Sequence, residues 1–313
     1  MKRVPGNEAI GKRLRGGVIA LGNFDGFHLG HQAVVGRAVA LARERGVPAL
    51  VATFDPHPVR FFRPETPPFR LTTLDQREAL FADAGADAMV VFHFDGTLAG
   101  LTAEQFVAER LVANLGVSGV VTGKDFTFGK AKGGNVAVLT ALGAQQGFTV
   151  ETVGPVRHDG APVSSSRIRD LLVEGKPRAA AELLTRSFAI RGVVQPGAQV
   201  GRTLGYPTAN VALGPYLRPR YGIYAVTAKL ADGRVLQGAA NLGVRPSFEP
   251  PLELLEPYFF DFDEDLYGQT IEVALVEFLR PEAKFADMDK LTAQMAKDCE
   301  RARAVLASTP RSP

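Results

Sequence analysis

The hydrophobic pattern of this chain changes once, near Arg186, and this change limits the folds that the chain can adopt. Before it, short apolar runs alternate with segments in which apolar residues recur at helical spacing. After it, apolar runs follow one another with glycine and proline turns between them. One such change in a chain of 313 residues predicts two domains. The join is expected in the helix-like segment before Ser187, so the predicted domains are residues 1–186 and 187–313.

Short strands and helices alternate through the first half. The strand-like runs are GVIAL, PALVATF, DAMVVF, SGVVTG and FTVETV, and the first helical segment is HQAVVGRAVALARERG. About five strands separated by helices predict a parallel sheet with crossover helices. The first half is therefore expected to be an α/β domain with a Rossmann-like open parallel sheet.

The second half is rich in strands that no helix separates. Its apolar runs are FAIRGVVQ, YGIYAVTAKL, GRVLQGAANLG, LELLEPYFFDF and TIEVALVEFLR. This pattern predicts an antiparallel sandwich or barrel. A helix over roughly residues 284–307 is expected to close the chain.

Composition excludes several classes of function. The net charge is +3, which suits an anionic small ligand but is far from the dense basic surface of a nucleic-acid binder. The one cysteine, Cys299, has no partner for an internal disulfide. The basic N-terminus has no apolar core of a signal peptide, and no apolar run approaches the ~20 residues of a membrane helix. We expect a cytoplasmic protein with neither nucleic acid nor membrane as a partner.

Polar segments, three of them with glycine, follow four of the predicted strands. They are GNFDGFHLGH, DPHP, HFDGT and GKDFTFGK. Ligands of open parallel sheets bind outside the carboxyl ends of the strands. The four segments are therefore expected to converge on one site.

His28 and His31 lie where the first strand passes to a helix, and three interpretations of them are open. With Asp25 and His57 they offer ligands for zinc, although neither an HExxH pattern nor a cysteine cluster accompanies them. They also suit an ordinary turn at a helix start. The phosphate interpretation explains more, because a glycine-rich turn exposes N–H groups at the positive end of a helix. Histidines there can donate to phosphate oxygens.

A second anion site is predicted at SSSRIRD, residues 164–170. Serines at a helix start most often cap the helix. Arg167 and Arg169, however, oppose the helix dipole in the first turns, which favours an anion as their partner.

These motifs resemble a known family. The HLGH segment and SSSRIR resemble the nucleotidylyltransferase superfamily. Together with TFDPHP and GKDFTFG they are similar to the bacterial bifunctional riboflavin kinase/FMN adenylyltransferases, also called FAD synthetases. The second half contributes LGYPTAN, NLGVRPSF, EPYFFDFDEDLYG and FLRPEAKF, so the resemblance covers nearly the whole chain.

The resemblance implies an adenylyltransferase in residues 1–186, of nucleotidylyltransferase type, which transfers AMP from ATP to FMN and yields FAD and pyrophosphate. It assigns catalytic charge stabilisation to His28 and His31. ATP and phosphate binding is assigned to Gly22, Asn23, Phe24, Gly30, Ser165, Ser166 and Arg169. Flavin contact is assigned to Asp125, Phe126 and Phe128, and core filling is the alternative for the two phenylalanines.

For residues 187–313 the resemblance implies a riboflavin kinase barrel that forms FMN from riboflavin and ATP. Glu256 is the expected base, and Thr208 and Asn210 are the expected Mg²⁺ ligands, since hydroxyl and amide oxygens suit a hard cation. Flavin binding is assigned to Asn241 and Arg280. Pro257 lacks a backbone donor and predicts an edge strand or bulge beside the base.

Two other functions compete with this one. One is a single-activity nucleotidylyltransferase with a degenerate barrel, and the other is a nucleic-acid or regulatory binder built on a small barrel. The low net charge counts against the binder. The expected partners are flavins and ATP, and the expected assembly is a monomer or a weak homo-oligomer.

Overall fold

The computed structural model describes residues 1–196, 205–245 and 252–308 of the chain. Leu204 and residues 246–248, which belong to two of the sequence motifs, lie outside these ranges. The chain divides into two compact units, each described here by itself. The first unit is Met1–Pro67 with Leu74–Ser164, and the second is Pro68–Thr73 with Ser165–Pro313.

The first unit contains a sheet of six parallel strands in the order β1-β4-β3-β2-β5-β8. Its strands are β1 Lys2–Pro5, β2 Val18–Leu21, β3 Ala49–Asp55, β4 Ala88–His93, β5 Gly119–Gly123 and β8 Thr149–Val153. Two small hairpins add β6 Thr127–Phe128 with β7 Gly134–Asn135, and β9 Arg157–His158 with β10 Ala161–Pro162. The predicted open parallel sheet is confirmed.

Helices connect the strands of this sheet. They are α1 Leu29–Arg45, α2 Pro58–Phe62, α3 Leu74–Asp83, α4 Gly96–Gly100, α5 Ala103–Gln105 with its π-helical continuation Phe106–Leu115, and α6 Val136–Gln146. The central strands β2 and β3 are buried along nearly their whole length. Separate apolar clusters containing alternate strand residues form the core, as helices on both faces require.

The sequence pattern misses the strand β1. Lys2 and Arg3 are exposed and only Val4 is buried, so the segment lacks the apolar run that marks the interior strands. It pairs with β4 at the edge of the sheet, where one flank needs no partner strand. The first residues of the basic N-terminus thus form an edge strand.

The four polar segments singled out in the sequence begin where β2, β3, β4 and β5 end. These strands are adjacent and parallel, so their carboxyl ends lie at one edge of the sheet. The sheet therefore places the four segments along a single rim.

The second unit is built on a closed antiparallel barrel in the order β11-β12-β15-β14-β13-β16. Its strands are β11 Phe188–Gln195, β12 Asn210–Ala212, β13 Gly222–Lys229, β14 Val235–Arg245, β15 Leu252–Phe259 and β16 Thr270–Arg280. Of the two predicted architectures, the barrel is the one observed. The short strand β12 has three residues, too few to give a sequence pattern.

Among the described residues, three helices accompany the barrel: α7 Ser165–Val173, α8 Pro177–Leu184 and α9 Met288–Ser308. The backbone N–H of Arg220 donates to the Leu172 carbonyl at 3.0 Å, and Arg178 pairs with Glu277 of β16. By their contacts α7 and α8 thus group with the barrel. The division into functional domains at residue 186 stays a prediction.

Pro257 does not confine its strand to an edge, contrary to the expectation from its missing N–H. Strand β15 lies between β12 and β14 inside the closed barrel. The Ala209 N–H donates to the Pro257 carbonyl at 3.0 Å, so the missing donor of Pro257 faces the residues just before β12. The regular ladder between β12 and β15 includes Leu254 and Leu255 but does not reach Pro257. The proline is accommodated because its position needs no N–H donor toward β12.

Candidate functional site

A cavity of about 1090 Å³ opens in the barrel unit. Five residues predicted for the second half line it together, although they come from different strands and loops. They are Thr208, Asn210, Asn241, Glu256 and Arg280.

Strand register places Glu256 and Asn241 opposite each other across β15 and β14. The Asn241 Nδ2 donates to Glu256 Oε2 at 3.5 Å, and Arg245 donates to the same carboxylate oxygen. The Glu256 side chain is only 15% exposed. Burial lowers the pKa of the Arg245 guanidinium, while the nearby Glu282 acts in the opposite direction.

The Asn241 side chain carries a buried acceptor. Its Nδ2 faces the carboxylate of Glu256, so its Oδ1 is left on the other side of the amide. Oδ1 is buried and has no hydrogen-bond partner within the described residues. A buried acceptor without a donor is costly, so this atom suits a hydroxyl or N–H of a ligand in the cavity.

Thr208 and Asn210 flank the start of β12. Thr208 forms an isolated antiparallel bridge with Tyr258, and Asn210 pairs with Gln195. Asn210 is 7% exposed, yet it lines the cavity with Thr208. One hydroxyl and one amide oxygen on a fixed turn are donors of the type that Mg²⁺ prefers.

Arg280 ends β16 and is held by a residue of α9. Its Nε donates to Asp298 Oδ1 at 2.9 Å, and its Nη2 donates to Oδ2 at 2.6 Å. Gln294 donates to the same carboxylate at 2.9 Å. The Arg280 guanidinium carbon lies 5.8 Å from the centre of the Phe285 ring.

Sequence reasoning missed Arg245 and Asp298 as residues of this cavity. Arg245 belongs to the motif NLGVRPSF, which also contains the predicted residue Asn241, so its place in that motif could have indicated it. Asp298 stands in a polar stretch of the last helix, where nothing in the sequence distinguishes it from a surface carboxylate. Its burial at 6% exposure is visible only in the structure.

In the first unit, the segment between β2 and α1 has a constrained backbone. Phe24, Gly26 and Phe27 all have positive φ angles, at 51°, 88° and 46°. His28 caps α1, and its Nδ1 accepts from the His31 N–H at 3.4 Å. The two imidazoles stack with centroids 3.6 Å apart, and Phe24 packs edge-on to His31 at 5.3 Å.

The carbonyl oxygen of Asn23 is held by hydrogen bonds from two side chains. It accepts from Thr53 Oγ1 at 2.8 Å and from Arg77 at 3.2 Å, and Arg77 also donates to Thr53 Oγ1 at 2.5 Å. Arg77 is only 2% exposed. Nothing in the sequence distinguishes Arg77, because an arginine within a helical pattern is expected at the surface.

Gly22 and Gly30 leave room for rings of the same segment. A Cβ at Gly30 would lie 3.2 Å from the His28 ring, and one at Gly22 would lie 3.0 Å from the Phe24 ring. These glycines therefore permit the packing of the histidine loop.

The GKDFTFGK segment has one exposed and one buried part. Asp125 is exposed and Phe126 is half-buried, whereas Phe128 is only 7% exposed. The ring centroids of Phe128 and Phe106 lie 5.6 Å apart. The Phe126 and Phe128 rings stack at 5.7 Å. Phe128 belongs to the apolar core, which favours the core-filling alternative for this residue.

Ser165 and Ser166 begin α7, which belongs to the second unit. Arg169 lies one turn further on. Its Nε donates to the Phe69 carbonyl at 2.8 Å, and its guanidinium lies 5.2 Å from the centre of the Phe69 ring. The structure thus orients Arg169 by a contact with residues 68–73, which the sequence did not predict.

Comparison with known proteins finds two family profiles that match successive parts of the chain. The FAD synthetase profile matches residues 11–167 and the riboflavin kinase profile matches residues 184–306. The relatives found are bifunctional riboflavin kinase/FMN adenylyltransferases. The Haemophilus influenzae protein is 36% identical to this chain, over 98% of this chain and 100% of its own length. For Escherichia coli the identity is 37%, over 90% of each chain, and for Pseudomonas fluorescens it is 39%, over 98% of each chain.

A solved structure extends the agreement to the fold. A Streptococcus pneumoniae protein described as a macrolide-efflux protein matches with a TM-score of 0.86 and 29% identity, over 97% of this chain and 99% of that chain. Within the described residues, no helix is both long and apolar enough to span a bilayer.

The α/β unit carries the FAD synthetase match and the barrel carries the riboflavin kinase match. Together they define the class as a two-module transferase of flavin and nucleotide chemistry. The similarity over the whole length then fixes the family. The chain belongs to the bifunctional riboflavin kinase/FMN adenylyltransferases.

Proposed function

We propose that the barrel cavity binds riboflavin and phosphorylates it, and that the histidine loop serves the adenylylation of FMN. The observation that carries the first assignment is the convergence of Thr208, Asn210, Asn241, Glu256 and Arg280 on one cavity of about 1090 Å³. A cavity of this size accommodates a drug-sized ligand such as a flavin.

In the kinase step the terminal ribityl hydroxyl attacks the γ-phosphorus of ATP. The new O–P bond gives FMN, the bond to the ADP oxygen breaks, and Glu256 accepts the hydroxyl proton. Asn241 Oδ1 supports this role, because it is a buried acceptor on the amide that contacts Glu256. A hydroxyl that donates to Asn241 is thereby held near the base.

Thr208 and Asn210 are proposed to hold Mg²⁺ with the ATP phosphates. The fit rests on their donor atoms: a hydroxyl and an amide oxygen line the cavity side by side on one turn. When bound, Mg²⁺ neutralises phosphate charge. The turn itself is fixed by the backbone bond from Ala209 to Pro257, so both side chains face the cavity from a rigid support.

In the adenylylation step an FMN phosphate oxygen attacks the α-phosphorus of a second ATP, and pyrophosphate leaves. A phosphate monoester is already a nucleophile near neutral pH, so positioning and charge stabilisation carry the catalysis. His28 and His31 are proposed to supply donors to the phosphates at the N-terminus of α1, together with the backbone of residues 22–24 and Gly30.

The remaining adenylyltransferase assignments are proposals from the family resemblance. Ser165, Ser166 and Arg169 are assigned to ATP phosphates, and the support is their place at the start of α7. Asp125, Phe126 and Phe128 are assigned to the flavin; the support is the place of their segment at the rim of the sheet, where Asp125 is exposed and Phe126 is half-buried. A cytoplasmic location and a monomeric or weakly associating state also remain proposals.

The test is incubation of the purified chain with riboflavin, ATP and Mg²⁺, with products followed by chromatography. We expect FMN first and FAD afterwards. FAD formed only from added FMN would contradict the kinase assignment, and FMN without FAD would contradict the adenylyltransferase assignment. Omission of Mg²⁺ with added EDTA is expected to stop both reactions.

A further inference from the structure

The contact between Arg280 and Asp298 neutralises a charge inside the barrel cavity. Both residues line the cavity, and their side chains are 20% and 8% exposed. Asp298 accepts along one edge of the guanidinium, at 2.9 Å from Nε and 2.6 Å from Nη2. A free guanidinium prefers an anion as its ligand. A buried guanidinium whose charge is already compensated by a carboxylate can instead donate to an uncharged ligand.

Counting donors shows what Arg280 has left for a ligand. A guanidinium has five N–H donors. Asp298 takes one from Nε and one from Nη2, and the Pro281 carbonyl takes one from Nη1 at 2.9 Å. Five minus three leaves two N–H donors for which the described residues offer no bond. They belong to a side chain that lines the cavity and packs near the Phe285 ring.

We propose that Asp298 is a specificity-determining residue: its carboxylate compensates the charge of Arg280, which then serves as a planar donor for the uncharged ring of the flavin and does not attract phosphate. The proposal rests on the proposed function, since it takes riboflavin as the ligand of the cavity. Carbonyl oxygens and ring nitrogens of a neutral heterocycle suit two fixed N–H donors. An unneutralised guanidinium would instead prefer phosphate, which the nucleotide carries into the same cavity.

The experiment compares wild type with Asp298→Asn in the full chain. Riboflavin affinity is measured by fluorescence quenching without ATP, and inhibition of FMN formation is measured with inorganic phosphate as the probe. We expect the riboflavin Kd to rise about ten-fold, since the donors lose their orientation. We also expect phosphate to become competitive with riboflavin, while the KM for ATP stays within about two-fold.

Asp261→Asn is the matched control, because Asp261 also forms an arginine–carboxylate contact that involves α9, with Arg303 at 2.9 Å, but lies outside the cavity lining. It is expected to bind riboflavin as wild type does. Arg280→Lys keeps the charge next to Asp298 but loses the planar donors. It is expected to bind riboflavin weakly without becoming sensitive to phosphate, which separates orientation from charge.

An unchanged riboflavin Kd in Asp298→Asn, or equal phosphate sensitivity in Asp298→Asn and wild type, overturns the proposal. If Asp298→Asn does not fold, as judged by circular dichroism, the double variant Arg280→Met with Asp298→Leu replaces it, because apolar replacement of a whole buried pair is tolerated. That variant must lose riboflavin affinity for the proposal to stand. Absence of kinase activity in wild type would refute the proposed function separately, since binding is measured without turnover.

Discussion

The barrel cavity and the histidine loop position their functional side chains by different means. In the cavity, Glu256 and Asn241 are opposed by strand register, and the closed barrel fixes that register on both sides. In the loop, His28 is placed by a backbone with three positive φ angles in four residues, Phe24 to Phe27, and by a cap on α1. One site rests on regular hydrogen bonding and the other on irregular backbone.

The two arrangements respond differently to substitution. A side-chain change on a barrel strand leaves the ladder intact, because the ladder uses backbone groups only. A non-glycine residue in a left-handed conformation costs of order 1–3 kcal/mol. A change in the loop also affects the packing that holds residues 24 and 27 in this conformation. Barrel variants should therefore report chemistry alone, whereas loop variants should mix chemistry with structure.

The largest expected effect is that of Glu256→Gln. Loss of the base should reduce FMN formation from riboflavin by about 10²-fold or more, while FAD formation from FMN persists. Both rates are measured on the same preparation by chromatography. Glu253→Gln on the same strand is the control, since Glu253 pairs with Arg218 and does not line the cavity.

A parallel fall of both activities in Glu256→Gln would break the comparison, because it would mean that the barrel substitution has a structural effect. A kinase rate equal to that of wild type would remove Glu256 as the base.

His28→Ala is expected to show the reverse pattern. Removal of a donor to the phosphates should reduce adenylylation of FMN by about 10²-fold and leave riboflavin phosphorylation unchanged. The imidazole also caps α1, so His28→Asn is the matched variant: asparagine retains a good cap and lacks the imidazole.

Equal losses in His28→Ala and His28→Asn would support the phosphate role. Recovery of adenylylation in His28→Asn would show that the residue acts only through the helix cap. Thermal unfolding of both variants, followed by circular dichroism, measures the contribution of the cap itself.

Much of the architecture was predictable because it follows from hydrophobic period. Alternation of strands and helices specified the parallel sheet, and uninterrupted strands specified an antiparallel second half. The strands β1 and β12 escaped prediction for physical reasons: β1 has one buried residue among four, β12 has only three residues, and both gain their strand conformation from neighbours. Local sequence does not encode such pairing.

The site residues divide in the same way. Motifs singled out residues whose type suits the proposed chemistry, such as Glu256 and His28, and their roles stay predictions. Asp298 and Arg77 are distinctive only by burial, at 6% and 2% exposure, and burial depends on which helix face the tertiary fold covers. Phe128 shows the complementary case: it stands within a motif and packs in the core, which favours the core-filling alternative that the sequence left open.

Asn241→Ala is expected to have an intermediate effect. The substitution removes the buried acceptor that faces the cavity and the N–H donated to Glu256, so the riboflavin KM should rise about ten-fold with a smaller change in kcat. Gln237→Ala on the same strand, outside the cavity lining, serves as the control. A change in kcat without a change in KM would assign Asn241 to the base and not to the flavin.

The smallest effect, and the one that separates structure from chemistry in the loop, is that of Gly30→Ala. Alanine in a helix is more stable than glycine by about 1 kcal/mol, so the first unit should become no less stable. The new Cβ would nevertheless lie 3.2 Å from the His28 ring, and the imidazole must move by a few tenths of an ångström. We expect adenylylation to fall about five-fold, since displacement of the proposed phosphate donor by this amount is costly.

The control variant is Gly36→Ala, because Gly36 lies in the same helix and its Cβ would meet nothing within 4 Å. Equal adenylylation rates in the two variants would show that the loop tolerates displacement of His28, and the contrast between a rigid loop and a tolerant strand would then be lost.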